Sequence, residues 1–291
     1  MNGILVVDKP AGFTSFDVVA KLRGICATRR IGHGGTLDPM ATGVLPVFVG
    51  MAAKAVDLQP RQDKVYEATL LLGTATDTGD VTGEVLRTAS VQVGEAELLA
   101  ALPGFAGEQM QVPPMYSAVK VNGKALYRYA REGVEVQRKA RPVTIHSIEY
   151  LGQAGQHQYR LQVHCSKGTY IRTLVEDIGE ALGLPATLAA LRRTAAGGFS
   201  LEDAHSLEEL QAAKDAGTLK GLLLGVETVF GSLPRLQVNE EASRRLANGA
   251  PVYGVKAENG RYAAYAPGGF LGLVQVLQDG MMRAEKLFLP E

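Results

Sequence analysis

One carboxylate in the chain has a setting that suits chemistry. In the stretch GHGGTLDPMATGVLPVFVG, residues 32–50, Asp38 stands between Leu37 and Pro39. Gly32, Gly34 and Gly35 precede it and the apolar run 44–49 follows. A carboxylate there can serve as nucleophile or base, and it can equally cap the amides of a turn, a common use of Asp-Pro. The glycines allow close approach by a ligand, and such a loop can cradle phosphate, but the Lys-Ser/Thr of a P-loop is missing. His33 suits a substrate contact or a loop hydrogen bond. Arg172 follows Ile171 on the clearest helical pattern. It reads either as a solvated arginine with Glu176 as its i+4 partner or as a guanidinium paired to a carboxylate in a cleft. Tyr66 opens a strand, where it packs or, facing a cleft, stacks on a nucleobase.

Residues 120–141 hold seven basic side chains against two acidic, with Tyr127 and Tyr129 among them. Positive charge interleaved with aromatic rings suits nucleic acid. The excess is local, because the 30 basic and 30 acidic residues of the whole chain cancel. The five histidines show no metal-ligand spacing and the two cysteines form no Cys-x-x-Cys pair, so neither a metal site nor a disulfide framework is expected. No apolar stretch approaches the roughly 18 residues of a membrane span. A reducing, cytoplasmic setting is expected.

These residues need elements to position them. A short buried strand is predicted over 4–7, then a helix capped by Thr14 or Ser15 whose Val18, Val19, Leu22 and Ile25 share one face. Strands are predicted over 66–72 and 158–165, and a short helix over 95–102. The pattern TYIRTLVEDIGEALG predicts a helix with Ile171, Leu174, Val175, Ile178 and Leu182 as its apolar stripe. Residues 201–224 read as helical. Beyond residue 232 the texture becomes β-rich, with strands predicted over 252–255, 262–265, 271–277 and 283–288. Strands and helices mix without regular alternation, which predicts an α+β fold on a mixed or antiparallel sheet.

Several ordered blocks together resemble the TruB family, the bacterial tRNA pseudouridine-55 synthases. They are VDKPAGFTS (7–15), the Asp38 stretch, KVYEATLLLGTATDTGDVTGEV (64–85), QVPPMYSAVKVNGKALYRYAREGVEVQRKARPV (111–143), HCSKGTYIRTLVEDIGEALG (164–183) and LRRTAAGGF. Gly34 stands where many family members carry Thr. The resemblance implies a catalytic domain over 1–231, with a mobile basic insertion at 115–141, and a small PUA-like RNA-binding domain over 232–291. It implies that Asp38 is the catalytic carboxylate, that Arg172 pairs with it and that Tyr66 stacks on the target base. His33 would contact RNA, and Tyr170 and Leu191 would line the base pocket. The insertion, with Lys124, Arg128, Arg131 and Arg141, would clamp the tRNA T-arm. A monomer with no obligatory protein partner is implied.

The implied reaction detaches uracil from C1′, turns it and rejoins it through C5. Nothing is oxidised, so no cofactor or metal is expected. A buried carboxylate tends to neutralise, and a nearby guanidinium opposes that. Two alternatives are a glycoside-type hydrolase using Asp38, a class that usually needs paired carboxylates, and an RNA-binding chaperone of the same fold.

Overall fold

The apolar run behind Asp38 pairs with the apolar run at the start of the chain. β1 (Gly3–Lys9) and β3 (Thr42–Val49) lie antiparallel, with Leu5 opposite Val47 and Val7 opposite Leu45. Both strands are covered on both faces, which is why they read as unbroken hydrophobic runs rather than alternating ones. On one face Leu5, Val7, Leu45 and Val47 pack against α1 (Ser15–Ile25) and α5 (Leu207–Asp215). On the other, Ile4, Val6, Val44 and Phe48 pack against Phe230 and against residues of a second sheet. The computed structural model describes residues 1–289; Pro290 and Glu291, the last of the expected 232–291 unit, lie outside the described residues.

The larger sheet has ten strands. The central path runs β9 (Ala204–His205), β1, β3, β8 (Ala186–Ala196), β4 (Lys64–Leu72), β7 (Gln158–Cys165), β6 (Arg141–Gly155) and β5 (Gly107–Gln111). β2 (Ile31–His33) pairs with β3, and a short strand at Phe199–Ser200 pairs with β8. The β1–β9 and β3–β8 ladders are parallel and the others antiparallel, so the sheet is mixed and largely antiparallel, as the α+β reading expects. β4 and β7 bury one face only. Tyr66, Ala68, Leu70 and Leu72 join Leu161 and Val163 against Ile171, Leu174, Val175 and Ile178 of α4 (Ile171–Ala181). Each such aliphatic side chain contributes roughly 1.5–3 kcal/mol when fully buried, so this layer fixes α4 on the sheet.

Local signals explain most boundaries. Thr14 caps α1 through a capping box with Asp17. α2 (Glu95–Ala101) begins at Gly94 with Glu97 reaching back to the cap amide. Within 115–141, the Val-Asn-Gly-Lys turn, with Asn122 and Gly123 at positive φ, closes a hairpin of Lys120–Val121 and Lys124–Ala125. α3 (Leu126–Arg131) follows it.

Two expectations need correction. Residues 201–224 are not one helix; only α5 is α-helical, between 3-10 turns at Leu201–Asp203 and Leu219–Leu222. Ser200 and Ser206 each start a new capped turn and Gly217 ends α5 at positive φ, so caps overrode composition. Residues 252–255 form a single bridge from Val252 to Met282 and no strand, because Pro251 lacks a donor and Gly254 turns the chain. The remaining C-terminal strands form a separate four-stranded sheet in chain order. They are β10 (Arg235–Gln237), β11 (Gly260–Ala266), β12 (Gly269–Val276) and β13 (Met282–Leu287), with α6 (Glu240–Ala247) beside them. Ala263, Leu273 and Phe288 tie this sheet to Ile4, Phe48 and Phe230. No helix among the described residues is long and apolar enough to cross a membrane.

The β3–β8 crossing is the tightest backbone approach near Asp38. Gly43 has φ +101°, and a Cβ there would lie 2.2 Å from the Arg193 carbonyl oxygen. Gly43→Ala is expected to lower unfolding free energy by at least about 2 kcal/mol, measured by urea denaturation. A change near zero would mean that the two strands can separate without penalty.

Candidate active site

The loop between β2 and β3 is tied on both sides of Asp38. Leu37 is buried, and its amide donates to Ser15 Oγ at 2.8 Å. The Pro39 carbonyl accepts from the Gly12 amide at 2.8 Å and from Lys9 Nζ at 3.2 Å. The Asp38 carboxylate bonds to no amide of its own turn among the described residues. It faces Arg172, with Nε 3.0 Å from Oδ2. Its side chain keeps 33 % exposure, directed into a cleft of about 520 Å³.

Arg172 is not a solvated helix residue. Its side chain is 4 % exposed although it lies beside the apolar stripe. It sits in the first turn of α4, where side chains lean toward the helix N-terminus, and so enters the 77–83 turn. There Nη1 donates to the Thr78 carbonyl and Nη2 to the Tyr116 carbonyl, both at 2.7 Å. Nε also lies 4.0 Å from Asp80 Oδ2. The turn can come this close because Gly79, at φ +74°, has no side chain; a Cβ would sit 2.5 Å from Glu176 Oε1. Glu176 is therefore a wall against the turn and not the arginine's ion-pair partner.

The electrostatics follow from this burial. Desolvation pushes the Asp38 carboxyl above its ordinary value; Arg172 opposes the shift, Asp80 adds to it, and Lys9 opposes it. Asp80 is itself buried, and its Oδ1 is occupied by Thr78 Oγ1 at 3.0 Å, the Thr82 amide at 3.0 Å and Thr82 Oγ1 at 2.5 Å. Of the two carboxylates near Arg172, Asp38 is the one that opens to the cleft.

Tyr66 on β4, Leu191 on β8 and Tyr170 at the cap of α4 line the same cleft, as does His33 at the end of β2. Burial raises the Tyr66 phenol, with Arg193 in opposition. His33 has a buried Nδ1 without a protein partner, and burial followed by Arg193 lowers its proton affinity. A hydrogen bond with the Gly35 backbone opposes that shift. Gly34 is closely packed: a Cβ there would stand 3.2 Å from the Phe48 ring and 3.4 Å from Gln59 Nε2, so a threonine would require these side chains to give by a few tenths of an ångström.

The basic insertion residues do not join this group. Arg141 lies on β6, exposed opposite Gln111. Lys124 pairs with Glu132 and lies over the Tyr129 ring at 4.4 Å. Arg131 lies over Tyr127 at 5.6 Å, and Arg128 is exposed beside it. Only the start of the segment, Ser117 and Ala118, reaches the cleft.

Sequence reasoning missed four supports. Lys9 is fully buried, and its Nζ donates to the Pro10, Phe13 and Pro39 carbonyls at 2.8, 2.6 and 3.2 Å. Desolvation lowers its pKa to about 8. Arg193 is also fully buried and donates to the carbonyls of Val44, Thr36 and Gly35 at 2.7, 3.3 and 3.1 Å. Gln111 clamps Tyr170 by accepting from its amide at 2.7 Å and donating to its carbonyl at 3.0 Å. Lys64 stands in the cleft with its pKa lowered to about 8 by burial. Lys9, Arg193 and Gln111 offered no signal beyond their blocks; Asp8 even separates Lys9 from the apolar run 4–7. Asp63, His146 and His164 are far apart in sequence, yet the sheet brings their donor atoms within 4.8 Å of one another.

The cleft joins a recessed carboxylate–guanidinium pair to a tyrosine on a mixed sheet, and a solved fold shares this architecture. A chain of a Cbf5-Nop10-Gar1 complex aligns over 99 % of this chain and 85 % of its own length, with TM-score 0.75 and 26 % identity. Residues 23–171 match the TruB family pseudouridylate synthase N-terminal domain, and 172–231 match the tRNA pseudouridylate synthase B C-terminal domain. tRNA pseudouridine synthase B of Bacillus pumilus (strain SAFR-032) is 42 % identical, covering 92 % of this chain and 91 % of the relative. The enzyme of the same name from Aromatoleum aromaticum is 43 % identical, covering 99 % and 92 %. The class is thus that of the pseudouridylate synthases. Within it, the chain belongs to the TruB family.

Arg172→Lys is expected to keep the charge and lose the fork that reaches Asp38 and two carbonyls at once. Single-turnover product formation should fall at least about 100-fold, roughly 2.7 kcal/mol in barrier height. In the wild type, an ionised Asp38 requires that the rate fall as pH drops, with the midpoint above the ordinary carboxylate value of 3.8 because burial raises it. A wild-type rate in Arg172→Lys, or an acid limb below that value, would detach the pair from the chemistry.

Proposed function

We propose that this tRNA pseudouridine synthase isomerises the uridine at position 55, in the T-loop, with Asp38 as the catalytic carboxylate. The observation that carries the reading is the Asp38–Arg172 pair at 3.0 Å, with Tyr66, Tyr170 and Leu191 lining the same cleft. A stacked uridine cannot present C1′ to a recessed group, so the nucleotide is flipped out of the loop. Its base then lies against the Tyr66 ring between Tyr170 and Leu191, with His33 contacting the RNA. Asp38, as nucleophile at C1′ or as base on the sugar, assists cleavage of the glycosidic bond. The recessed site excludes water while the uracil turns, so re-attachment through C5 competes successfully with hydrolysis. The phenol of Tyr66 is buried and its pKa raised, which suits a neutral stacking surface.

Binding is assigned to other parts. The 115–141 segment, with Lys124, Arg128, Arg131 and Arg141, closes on the T-arm, and the C-terminal sheet adds RNA contacts. The enzyme acts as a monomer and needs no cofactor, since the isomerisation exchanges no electrons and imports no group. A hydrolase reading would need a second free carboxylate. The candidate nearest Arg172, Asp80, is buried and occupied by Thr78 and Thr82.

A T-arm stem-loop transcript tests the reading. One uridine should become pseudouridine, mapped by nuclease digestion and mass spectrometry, with RNA mass unchanged. Release of free uracil, or binding without conversion, would contradict it. Reversing charge at Lys124, Arg128 and Arg131 should weaken RNA binding and flatten its salt dependence, because fewer phosphate contacts release fewer counterions. An unchanged salt slope would remove the insertion from the interface.

A further inference from the structure

We propose that Asp63, His146 and His164 form a binding site for a divalent transition-metal ion, on the face of the large sheet opposite the cleft. Side chains alternate along strands. On β4 and β7, Tyr66, Val163 and Cys165 belong to the buried core, so Val65 and His164 project from the other face. His164 stands opposite Ser147, and the register shifts between Ile145 and Ser147. His146 occupies that irregularity and lies against His164, with ring centroids 4.6 Å apart and planes 49° from parallel. Asp63, just ahead of β4, brings Oδ1 to 3.6 Å from His146 Nε2. All three donor atoms fall within 4.8 Å of one another.

The geometry suits an ion better than an ion pair. Zinc holds nitrogen and oxygen ligands at about 2.0–2.2 Å, so tetrahedral neighbours stand roughly 3.3–3.6 Å apart. The Asp63–His146 separation already has that value. The third donor needs only a small side-chain rotation, which His146 and Asp63 are exposed enough to make. Two imidazoles and one carboxylate favour zinc, nickel, copper or cobalt over magnesium or calcium. An Asp–His ion pair alone uses two of these side chains and leaves His164 without a part. Three protein ligands leave the remaining positions to water. The ion would cross-link β6, β7 and the lead-in to β4, the strand that carries Lys64 and Tyr66. Its role is therefore to stiffen the frame, away from the reacting atoms.

The full-length protein, stripped with chelator and desalted, is titrated with zinc chloride by calorimetry. One ion per chain is expected, with a thermal midpoint that rises with zinc concentration. His146→Gln and His164→Gln should each weaken binding at least about tenfold, roughly 1.4 kcal/mol. Asp63→Asn, at an exposed loop position, supplies the same test where a histidine variant folds poorly. Pseudouridine formation at saturating RNA should be equal in zinc-loaded and chelated protein. Absence of saturable binding, or equal binding by the His146→Gln/His164→Gln double variant, would overturn the site. Loss of turnover on chelation would overturn its placement outside the chemistry.

Discussion

In the proposed reaction, everything at the site depends on keeping one recessed carboxylate ionised. Burial pushes the Asp38 carboxyl up, and a neutral acid is a poor nucleophile and a poor base. Arg172 supplies the opposing charge at 3.0 Å, and it cannot swing away. Two backbone carbonyls hold its outer nitrogens, and Asp80 stands behind it. Removing one member of such a buried network typically costs about 3–5 kcal/mol, because the other is left unpaired. α4 is consequently fixed less by its own helical propensity than by the cluster that places Arg172 over the loop.

The loop itself is held by cations that have no carboxylate partners. Lys9 gathers the carbonyls of Pro10, Phe13 and Pro39, and Arg193 gathers those of Gly35, Thr36 and Val44. Carbonyl dipoles satisfy these donors without neutralising their charge, so positive potential remains around Asp38. Lys9 also counts among the groups that draw the Asp38 carboxyl down. Scaffold and electrostatics are thus the same residues. The glycines at 43 and 79 matter for the same reason: each removes the side chain that would keep β8 or the 77–83 turn at a distance.

Much of this was legible in the sequence because periodicity reports burial. The alternation over 158–165 gave β7, and the stripe from Ile171 gave α4 with nearly its observed bounds. Asp38, Tyr66 and Arg172 were legible as a set only through the resemblance of ordered blocks, since each alone had a bland alternative. For Arg172, the local i+4 partner Glu176 pointed toward solvent; the tertiary partners at Thr78, Tyr116 and Asp38 reversed that. Lys9 and Arg193 were illegible because a buried cation bonded to carbonyls leaves no spacing pattern. The Asp63, His146 and His164 cluster was hidden likewise, its members being joined only by strand register. Local caps at Ser200 and Ser206 defeated the longer helix expected over 201–224.

The most direct measurement is single-turnover pseudouridine formation by Asp38→Asn with excess enzyme over a T-arm stem-loop. Asparagine is nearly isosteric, and Leu37 and Pro39 remain anchored through Ser15, Gly12 and Lys9, so the loop keeps its shape. Without a carboxylate there is neither nucleophile nor base. Turnover should fall to background while RNA affinity stays within about tenfold, a change of roughly 1.4 kcal/mol. A rate within a few-fold of wild type would contradict the assignment of the chemistry to Asp38.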